Sequence, residues 1–537
     1  MLRRAQGPVV VKRRMVLIGV GSLTPDPPDR SAPTCATSEP RASARAEAPA
    51  PSRPRIAHGD SAPPAHARSA AGREWLLLDP PSEDVYVRRG LLREKSGTAA
   101  AFPNIDLILL SGSVREAGFR PVYVDAQIRR WGWRRLCDEL RGRDIAGVVS
   151  IVSCDGAERD LRRLRHVKDA LGGVPVYVVV PIATVLQRQA CGDILANHPH
   201  IDGLILNSVE HNLTEILRGD AERLVNVAAR RDGRVAVPDV TVRYETGVHL
   251  PMPEHAIFRD HRYFFPQSKR NPVTCVQLSF GCPYTCEFCI DNALYRKMRY
   301  RDVDSVVEEL VEIDRLGFRE VYFKDLTFGL NKRIADEFLG KLAERRLNLR
   351  WLCTTRIDVA TPRLLRYMKR AGCYGIEFGV ESGLRHRREA NGKPISDEQI
   401  KRVFYNCRSL GIETTALVMI GFEDETEEEI RTTMAFVSDL DPDYVAYNVV
   451  NALAGTPLAE RAKRGGFLLD ELNEQRFTSS NIRHRYLTPQ RLDELRVEAV
   501  RSFYRRPRTV MTRLAKAQGL FELWKLVRLA KAAAWVK

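Results

Sequence analysis

A chain of 537 residues has room for two or three domains and a sizeable core, and its formal charge is +16. Twelve Lys/Arg against five Asp/Glu in residues 1–73, and ten against one in 501–537, account for all of that charge; the neutral body between them has no basic footprint for a nucleic-acid backbone. Eleven cysteines in so long a chain do not describe a stapled secreted fold, and no apolar run reaches the ~18–20 residues of a membrane span.

Residues 1–73 are rich in Ala, Pro, Arg and Ser, show no helix or strand period, and read as a disordered tail. Within them Lys12 to Leu23 mimics a signal peptide, but its apolar stretch is short and a Pro/Ser/Ala-rich tract follows. Export is not expected, and the location reads as cytoplasmic. Residues 74–220 alternate short apolar runs (Trp75–Leu78, Pro121–Val124, Ala146–Val152, Val176–Val180, Leu204–Leu206) with helical stretches such as Arg129–Leu140 and Arg159–Leu171. That alternation predicts an open, doubly wound parallel sheet. A linker over 221–270, holding His255, Phe264 and Pro266, leads to a second alternating region, 271–465. Its predicted strands are Val273–Phe280, Glu320–Phe323, Arg350–Cys353, Tyr374–Phe378, Glu413–Ile420 and Tyr444–Val449. Helices are predicted between them at Asp304–Leu316, Ile334–Arg345, Pro362–Ala371, Asp397–Leu410 and Glu425–Leu440.

The string GCPYTCEFC follows the first of these strands and sets Cys282, Cys286 and Cys289 in a C-x3-C-x2-C triplet. No fourth ligand follows at zinc spacing. Three thiolates holding a four-iron cube leave one iron open to a substrate or cofactor. The other cysteines are isolated and read as small buried hydrophobes, Cys353 standing out only because it ends a predicted strand. Residues 466–537 read as a helical region. There Leu520, Leu523, Trp524 and Val527 fall at helical spacing beside a basic stripe of Lys525, Arg528 and Lys531. Packing on the barrel is favoured over contact with a membrane surface.

The triplet, with six strand–helix units behind it, resembles the radical S-adenosylmethionine (radical SAM) superfamily. The resemblance implies a partial (β/α)6 barrel, a 4Fe–4S cluster held by Cys282, Cys286 and Cys289, and reductive cleavage of SAM to a hydrogen-abstracting 5′-deoxyadenosyl radical. It also implies an intracellular electron donor of flavodoxin or ferredoxin type. Motifs in strand order carry it further. VYFKDLTFG places Asp325 where relatives have an acid, with Lys324 in place of a preceding one. TTRID offers Arg356 for a bidentate contact with the SAM carboxylate. GIEFGVES resembles the ribose and carboxylate region through Glu381 and Ser382, and LVMIGFEDET the adenine segment through Ile420 and Gly421, with Glu423 where a proline is usual. Phe288 falls at the aromatic position beside the third cysteine. Asp325, Glu377 and Glu381 also read as carboxylates closing strand ends.

The front region resembles the cobalamin-binding, Rossmann-like domain of class B radical SAM enzymes. It lacks a DxHxxG motif. VVVPIAT puts Val179 and Val180 where relatives have a glycine turn, and Asn207-Ser208-Val209-Glu210 replaces a GEGE segment. These departures favour cobalamin-free chemistry: radical dehydration or deoxygenation of a hydroxylated, aminosugar-like small molecule, resembling the deoxygenases of aminoglycoside biosynthesis, completed by a reductase partner. The alternative is cobalamin-dependent methylation of a carbon on a lipid or antibiotic precursor.

Overall fold

Short β-branched runs alternating with amphipathic helices build two separate sheets. The computed structural model describes residues 72–516 and Val527, apart from 83–85, 90–91, 96–100, 153–156, 181–184, 186–187, 210–211, 220–224, 232, 239–247, 249, 262, 264, 292–294 and 470–479. Residues 1–71 of the expected tail over 1–73, and the sequence beyond Lys516 save Val527, lie outside these residues.

The front half runs β1 (Glu74–Asp79), a hairpin of β2 (Tyr86–Arg89) and β3 (Leu92–Lys95), α1 (Ile105–Glu116), β4 (Arg120–Asp125), α2 (Trp133–Leu140), β5 (Ile145–Ile151), α3 (Ala157–Ala170), β6 (Val176–Val179), α4 (Arg188–Asn197), β7 (Gly203–Ile205), α5 (Leu213–Arg218), β8 (Val227–Arg231) and β9 (Arg234–Ala236). The sheet order is β4-β1-β5-β6-β7-β8-β9. Its first five strands are parallel, while β8 and β9 continue it antiparallel. Residues 227–236 therefore belong to this sheet and not to a linker. Their arginine-rich, partly exposed edge hairpin has no apolar alternation by which to read it. Helix α1 is buried without a break from Leu107 to Val114, so it is covered on both its sides. Gly112 lets the chain cross it, since a Cβ there would lie 2.5 Å from Pro251 O.

The second half runs β10 (Val273–Val276), β11 (Ser279–Phe280), β12 (Arg299–Tyr300), α6 (Val303–Arg315), β13 (Glu320–Phe323), α7 (Lys332–Arg345), β14 (Arg350–Thr355), α8 (Pro362–Arg370), β15 (Cys373–Glu381), α9 (Arg385–Ala390), α10 (Asp397–Ser409), β16 (Glu413–Ile420), α11 (Glu427–Leu440) and β17 (Tyr444–Val449). Three helices follow: α12 (Pro457–Arg464), α13 (Pro489–Tyr504) and α14 (Pro507–Lys516). The strands pair parallel and in chain order, β10-β13-β14-β15-β16-β17. This is the expected α/β architecture: a doubly wound front sheet, a six-stranded partial barrel and a helical C-terminal region. The single strand expected over Val273–Phe280 is broken at 277–278, where Asp325 takes the amides of Leu278 and Ser279. Helix α11 starts at Glu427 and not at Glu425, because Thr426 is its N-cap in a capping box with Glu429. Edge strand β17 is covered by α13, whose Tyr504 hydroxyl accepts from Val445 N at 3.1 Å and donates to Val445 O at 2.9 Å.

The barrel helices bury one face of the strands, including Phe323, Trp351 and Phe378. The opposite face shares a core with the front sheet: Trp75, Leu77 and Val149, the apolar residues of α1, and Phe258, Tyr263 and Phe265 pack with Tyr322, Leu352 and Tyr374. The connecting segment is pinned at His255, whose Nδ1 lies 2.9 Å from Thr274 Oγ1 and whose Nε2 lies 2.8 Å from Glu309 Oε1. Burial alone would raise the Glu309 pKa, but Arg301 at 2.6 Å and His255 outweigh it and hold it below the usual range. Among the described residues no helix is long and apolar enough to cross a membrane.

Candidate functional site

The cysteine loop leaves the carboxyl side of the barrel between two paired strands, with Ser279 opposite Tyr300 and Phe280 opposite Arg299. Gly281 begins it at φ 89°, where a Cβ would sit 2.3 Å from Lys297 O. Only glycine fits that position. Cys282 N donates to Tyr295 O at 2.7 Å, and Cys289 N to Cys286 O at 3.1 Å. Cys286 is buried, while Cys282 and Cys289 are half-buried. The loop is held from two sides. Leu458 N at the start of α12 donates to Glu287 O at 3.1 Å. Gly392, in the turn between α9 and α10, lies so close that a Cβ would be 2.9 Å from Thr285 O.

Desolvation raises the Cys286 thiol, with Lys393 and Arg356 acting against it; Cys289 is raised by burial and then by Asp291. Among the described residues no three His, Cys, Asp or Glu side chains gather around one ion position. A four-iron cube instead takes each thiolate on a different iron, and three soft donors on one short loop fit that demand. Of the remaining cysteines, Cys137, Cys191, Cys275, Cys353, Cys373 and Cys407 are buried, while Cys35 and Cys154 lie outside the described residues.

Asp325, 1% exposed, accepts from Leu278 N at 3.0 Å and Ser279 N at 2.7 Å, and burial pushes its pKa up to about 6. Its carboxylate is engaged in holding the strand that delivers the cysteine loop. Two residues on, Thr327 Oγ1 lies 3.6 Å from Cys282 Sγ. Arg356 Nε and Nη2 bond Asp358 at 2.9 and 2.8 Å, so in this structure the fork is engaged inside its own turn. Nη1 faces Cys286 Sγ at 3.6 Å, and the guanidinium stacks 3.5 Å above the Tyr284 ring.

Glu381 stands at φ 63°, a strained position for a side chain, at an irregularity in the β15–β16 register. It pairs with Lys393 Nζ at 2.6 Å in space that Gly379 leaves clear. Ser382 is buried, lies 3.2 Å from Thr433 Oγ1 and accepts from Leu384 N at 3.1 Å. Ile420 is wholly buried in the core under the barrel helices. Gly421 follows at φ 83° and donates to Glu425 Oε2 at 2.6 Å. Phe288 packs against the cluster that contains Phe422, Val450 and Leu458.

Arg461, Tyr322 and Phe102 carried no signal in the sequence. Arg461 on α12 bridges the cysteine loop and the glycine segment, pairing with Glu287 and, at 2.8 Å, with Glu423. Inside the barrel, Tyr322 Oη donates to Glu377, which also accepts from Thr354 Oγ1 and Gln267 Nε2, each at 3.1 Å. The Lys324 ammonium lies 3.3 Å from the Phe102 ring centre and 3.4 Å from that of Tyr322. Phe102 precedes α1 on the carboxyl side of the front sheet, so the carboxyl sides of the two sheets meet at this contact.

In the front sheet, order β4-β1-β5 places the switch in strand order between β1 and β5, at whose carboxyl edge open α/β sheets bind ligands. Val179 and Val180 are 6% and 4% exposed and point into the two opposite cores of the sheet. They do not project into space above the edge, which corrects the ground for excluding a corrinoid. Ser208 Oγ donates to Asp106 Oδ1 at 2.5 Å, fastening the turn after β7 to α1.

Residues 276–437 match the family model of the radical SAM superfamily. An uncharacterised methyltransferase of Pyrococcus horikoshii is 26% identical over 330 residues, covering 60% of this chain and 71% of that one. The anaerobic magnesium-protoporphyrin IX monomethyl ester cyclase of Rubrivivax gelatinosus is 26% identical over 368 residues, covering 64% and 63%. The hopanoid C-2 methylase of Rhodopseudomonas palustris is 29% identical over 254 residues, covering 45% and 47%. The chain therefore spans less than two thirds of the last two relatives. Among solved structures, the cobalamin-dependent SAM radical enzyme OxsB, with aqua-cobalamin and SAM bound, superposes with a TM-score of 0.63 at 15% identity over 86% of this chain and 71% of that one. The radical SAM methyltransferase TsrM from Kitasatospora setae gives 0.54 at 18% identity over 73% and 75%. At these identities the structures establish the shared fold. The chain carries a radical SAM superfamily domain, which implies a 4Fe–4S cluster and SAM, behind a doubly wound α/β sheet.

Proposed function

We propose that this chain is a cobalamin-dependent radical SAM enzyme that transfers a methyl group to a small amphiphilic molecule, a lipid or antibiotic precursor. The observation that carries the reading is the juxtaposition at Phe102 and Lys324: a sheet with a ligand-binding switch point turns its carboxyl side to that of the cysteine-bearing barrel. When bound, the cluster supplies the electron that splits SAM and the corrinoid supplies the methyl group. The chain's own residues hold and shape. Cys282, Cys286 and Cys289 anchor the cluster, and Asp325 fixes the approach to their loop. Glu381 with Lys393, Gly421 and Phe288 form the walls of the SAM cleft, and Lys324 with Glu377 set polarity inside the barrel. Methyl transfer takes support from the methyltransferase and methylase among the relatives. The dehydration reading loses its ground once Val179 and Val180 are seen to be core residues. A small electron carrier of flavodoxin or ferredoxin type completes the scheme.

Anaerobic reconstitution with iron, sulfide, SAM and cobalamin tests it. Expected are 5′-deoxyadenosine under reduction and a corrinoid absorbance retained through desalting. No 5′-deoxyadenosine from protein with an intact cluster removes the radical reading. Loss of the corrinoid while 5′-deoxyadenosine still forms removes the cobalamin half alone.

A further inference from the structure

Three barrel strands keep their inner face open. On β15, β16 and β17 the residues under the barrel helices are buried, among them Phe378, Val418 and Val449. The residues between them turn to the inside of the barrel, where Glu377, Leu417, Met419, Ala446 and Asn448 are half-buried. On β13 and β14 that side is closed, because Tyr322 and Leu352 pack into the core shared with the front sheet. The register sets Glu377 beside Thr415. Gly379, Leu417 and Ala446 stand side by side one layer nearer the carboxyl ends, about 7 Å along the strands. Over Gly379 lies the Glu381–Lys393 pair, whose charges cancel. The inner face is therefore apolar at Leu417 and Ala446, with a carboxylate beneath.

Three neutral donors fix that carboxylate: Tyr322 Oη and Thr354 Oγ1 on Oε2, and Gln267 Nε2 on Oε1. A carboxylate accepts about four hydrogen bonds, and the protein supplies two to Oε2 but one to Oε1. Among the described residues no Lys, Arg or His side chain pairs with Glu377, whereas Glu381 and Glu413 on β15 and β16 are held by Lys393 and Lys269. A half-buried carboxylate without a cation is best completed by a ligand that brings both a positive charge and a hydrogen-bond donor.

We propose that Glu377 binds the protonated amino group of the substrate. The acceptor molecule is then an apolar amine, its ammonium on Glu377 Oε1 and its body lying across Leu417 and Ala446 towards the SAM cleft. The assignment rests on the reading of the barrel as the site of a small amphiphilic acceptor, and it names the polar group that acceptor carries.

Titration calorimetry tests it on the full-length protein loaded with cluster, SAM and cobalamin, with 2-phenylethylamine, 2-phenylethanol and 3-phenylpropionate as probes, for the parent and Glu377→Gln. Expected is amine binding about tenfold tighter than that of the alcohol, no binding of the carboxylate, and about a tenfold loss of amine affinity in the variant with the alcohol unchanged. If Glu377→Gln does not fold, the three probes on the parent decide alone. No amine binding, alcohol binding as tight as that of the amine, or undiminished amine binding by a folded variant would overturn the proposal. Formation of 5′-deoxyadenosine by the same parent samples separates the two levels. Where it forms without selective amine binding, the amine assignment alone falls; where it does not form, the radical reading falls.

Discussion

Two edges of the Arg356 guanidinium go to Asp358, which leaves Nη1 facing Cys286 Sγ at 3.6 Å. A cation and N–H donor beside a cluster thiolate stabilise the reduced, more negative state. A charged hydrogen bond contributes about 1.5 kcal/mol. Arg356→Gln should therefore lower the cluster midpoint potential by on the order of 60 mV, one electron being transferred. A redox titration followed by electron paramagnetic resonance checks it; an unchanged potential removes the tuning role. Glu425 makes a pH prediction. Its carboxylate is wholly buried, accepts from Gly421 N and Phe422 N at 2.6 and 3.2 Å, and burial pushes its pKa from 4.5 up to about 7, with Arg387 and those amides acting against the rise. A folded pKa above the unfolded one means the group's contribution is present below pH 4.5 and is lost as pH rises through about 7. Glu425→Gln abolishes that loss, so the melting temperature of the variant relative to the parent should climb between pH 5 and pH 8. A constant difference would contradict the assignment.

At the scale of elements, the cysteine loop is set by contacts at both its ends and its middle. Gly281→Ala must place a Cβ 2.3 Å from Lys297 O at a φ of 89°, at a strain of about 1–3 kcal/mol before the clash is counted. Iron content after reconstitution should fall sharply while far-ultraviolet circular dichroism stays that of the parent; normal iron loading would show the loop to be more tolerant than its geometry. Arg461→Ala cuts the link between Glu287 and Glu423 without touching a cysteine. Iron loading should persist and the KM for SAM should rise about fivefold, roughly 1 kcal/mol, as expected for a half-exposed charge network. These two residues also mark what a sequence can reveal. Glu320–Phe323, Glu413–Ile420 and Tyr444–Val449 are read at their observed ends, because each apolar run stops where buried strand gives way to polar turn. Gly281 is legible as well, beside a cysteine at a strand exit. The Arg461 bridge spans 174 residues and leaves no local pattern. The β8–β9 hairpin is hidden for the reverse reason: its arginines read as loop, and only pairing with β7 makes them strand. The Arg356–Asp358 pair lay within one motif. An arginine at a strand end can offer its fork to a ligand or to its nearest carboxylate, and the sequence alone does not choose between them.

At the scale of the whole molecule, the front sheet and the barrel strands share a core through α1, Tyr263 and Phe265. Two sheets so joined should unfold together, and a wound in one should register in the other. Val179 and Val180 are the sharpest place to test this, because two readings of them make opposite demands. If their side chains occupied a corrinoid's space, Val179→Gly and Val180→Gly would open it, and cobalamin affinity would rise in protein of unchanged stability. The structure buries Val179 in the core shared with the barrel and Val180 in the outer core of the front sheet. Each substitution should then cost about 2–4 kcal/mol from a lost side chain and a freed strand backbone. Val179→Gly should also lower the melting of SAM-binding capacity in the barrel, which Val180→Gly should disturb less. Neither should bind cobalamin more tightly than the parent. Urea titration with SAM and corrinoid binding measured on the same samples separates the two readings. Gained affinity at parental stability would return Val179 and Val180 to the ligand edge, and lost stability without gained affinity keeps them in the core and leaves that edge to backbone and small polar side chains.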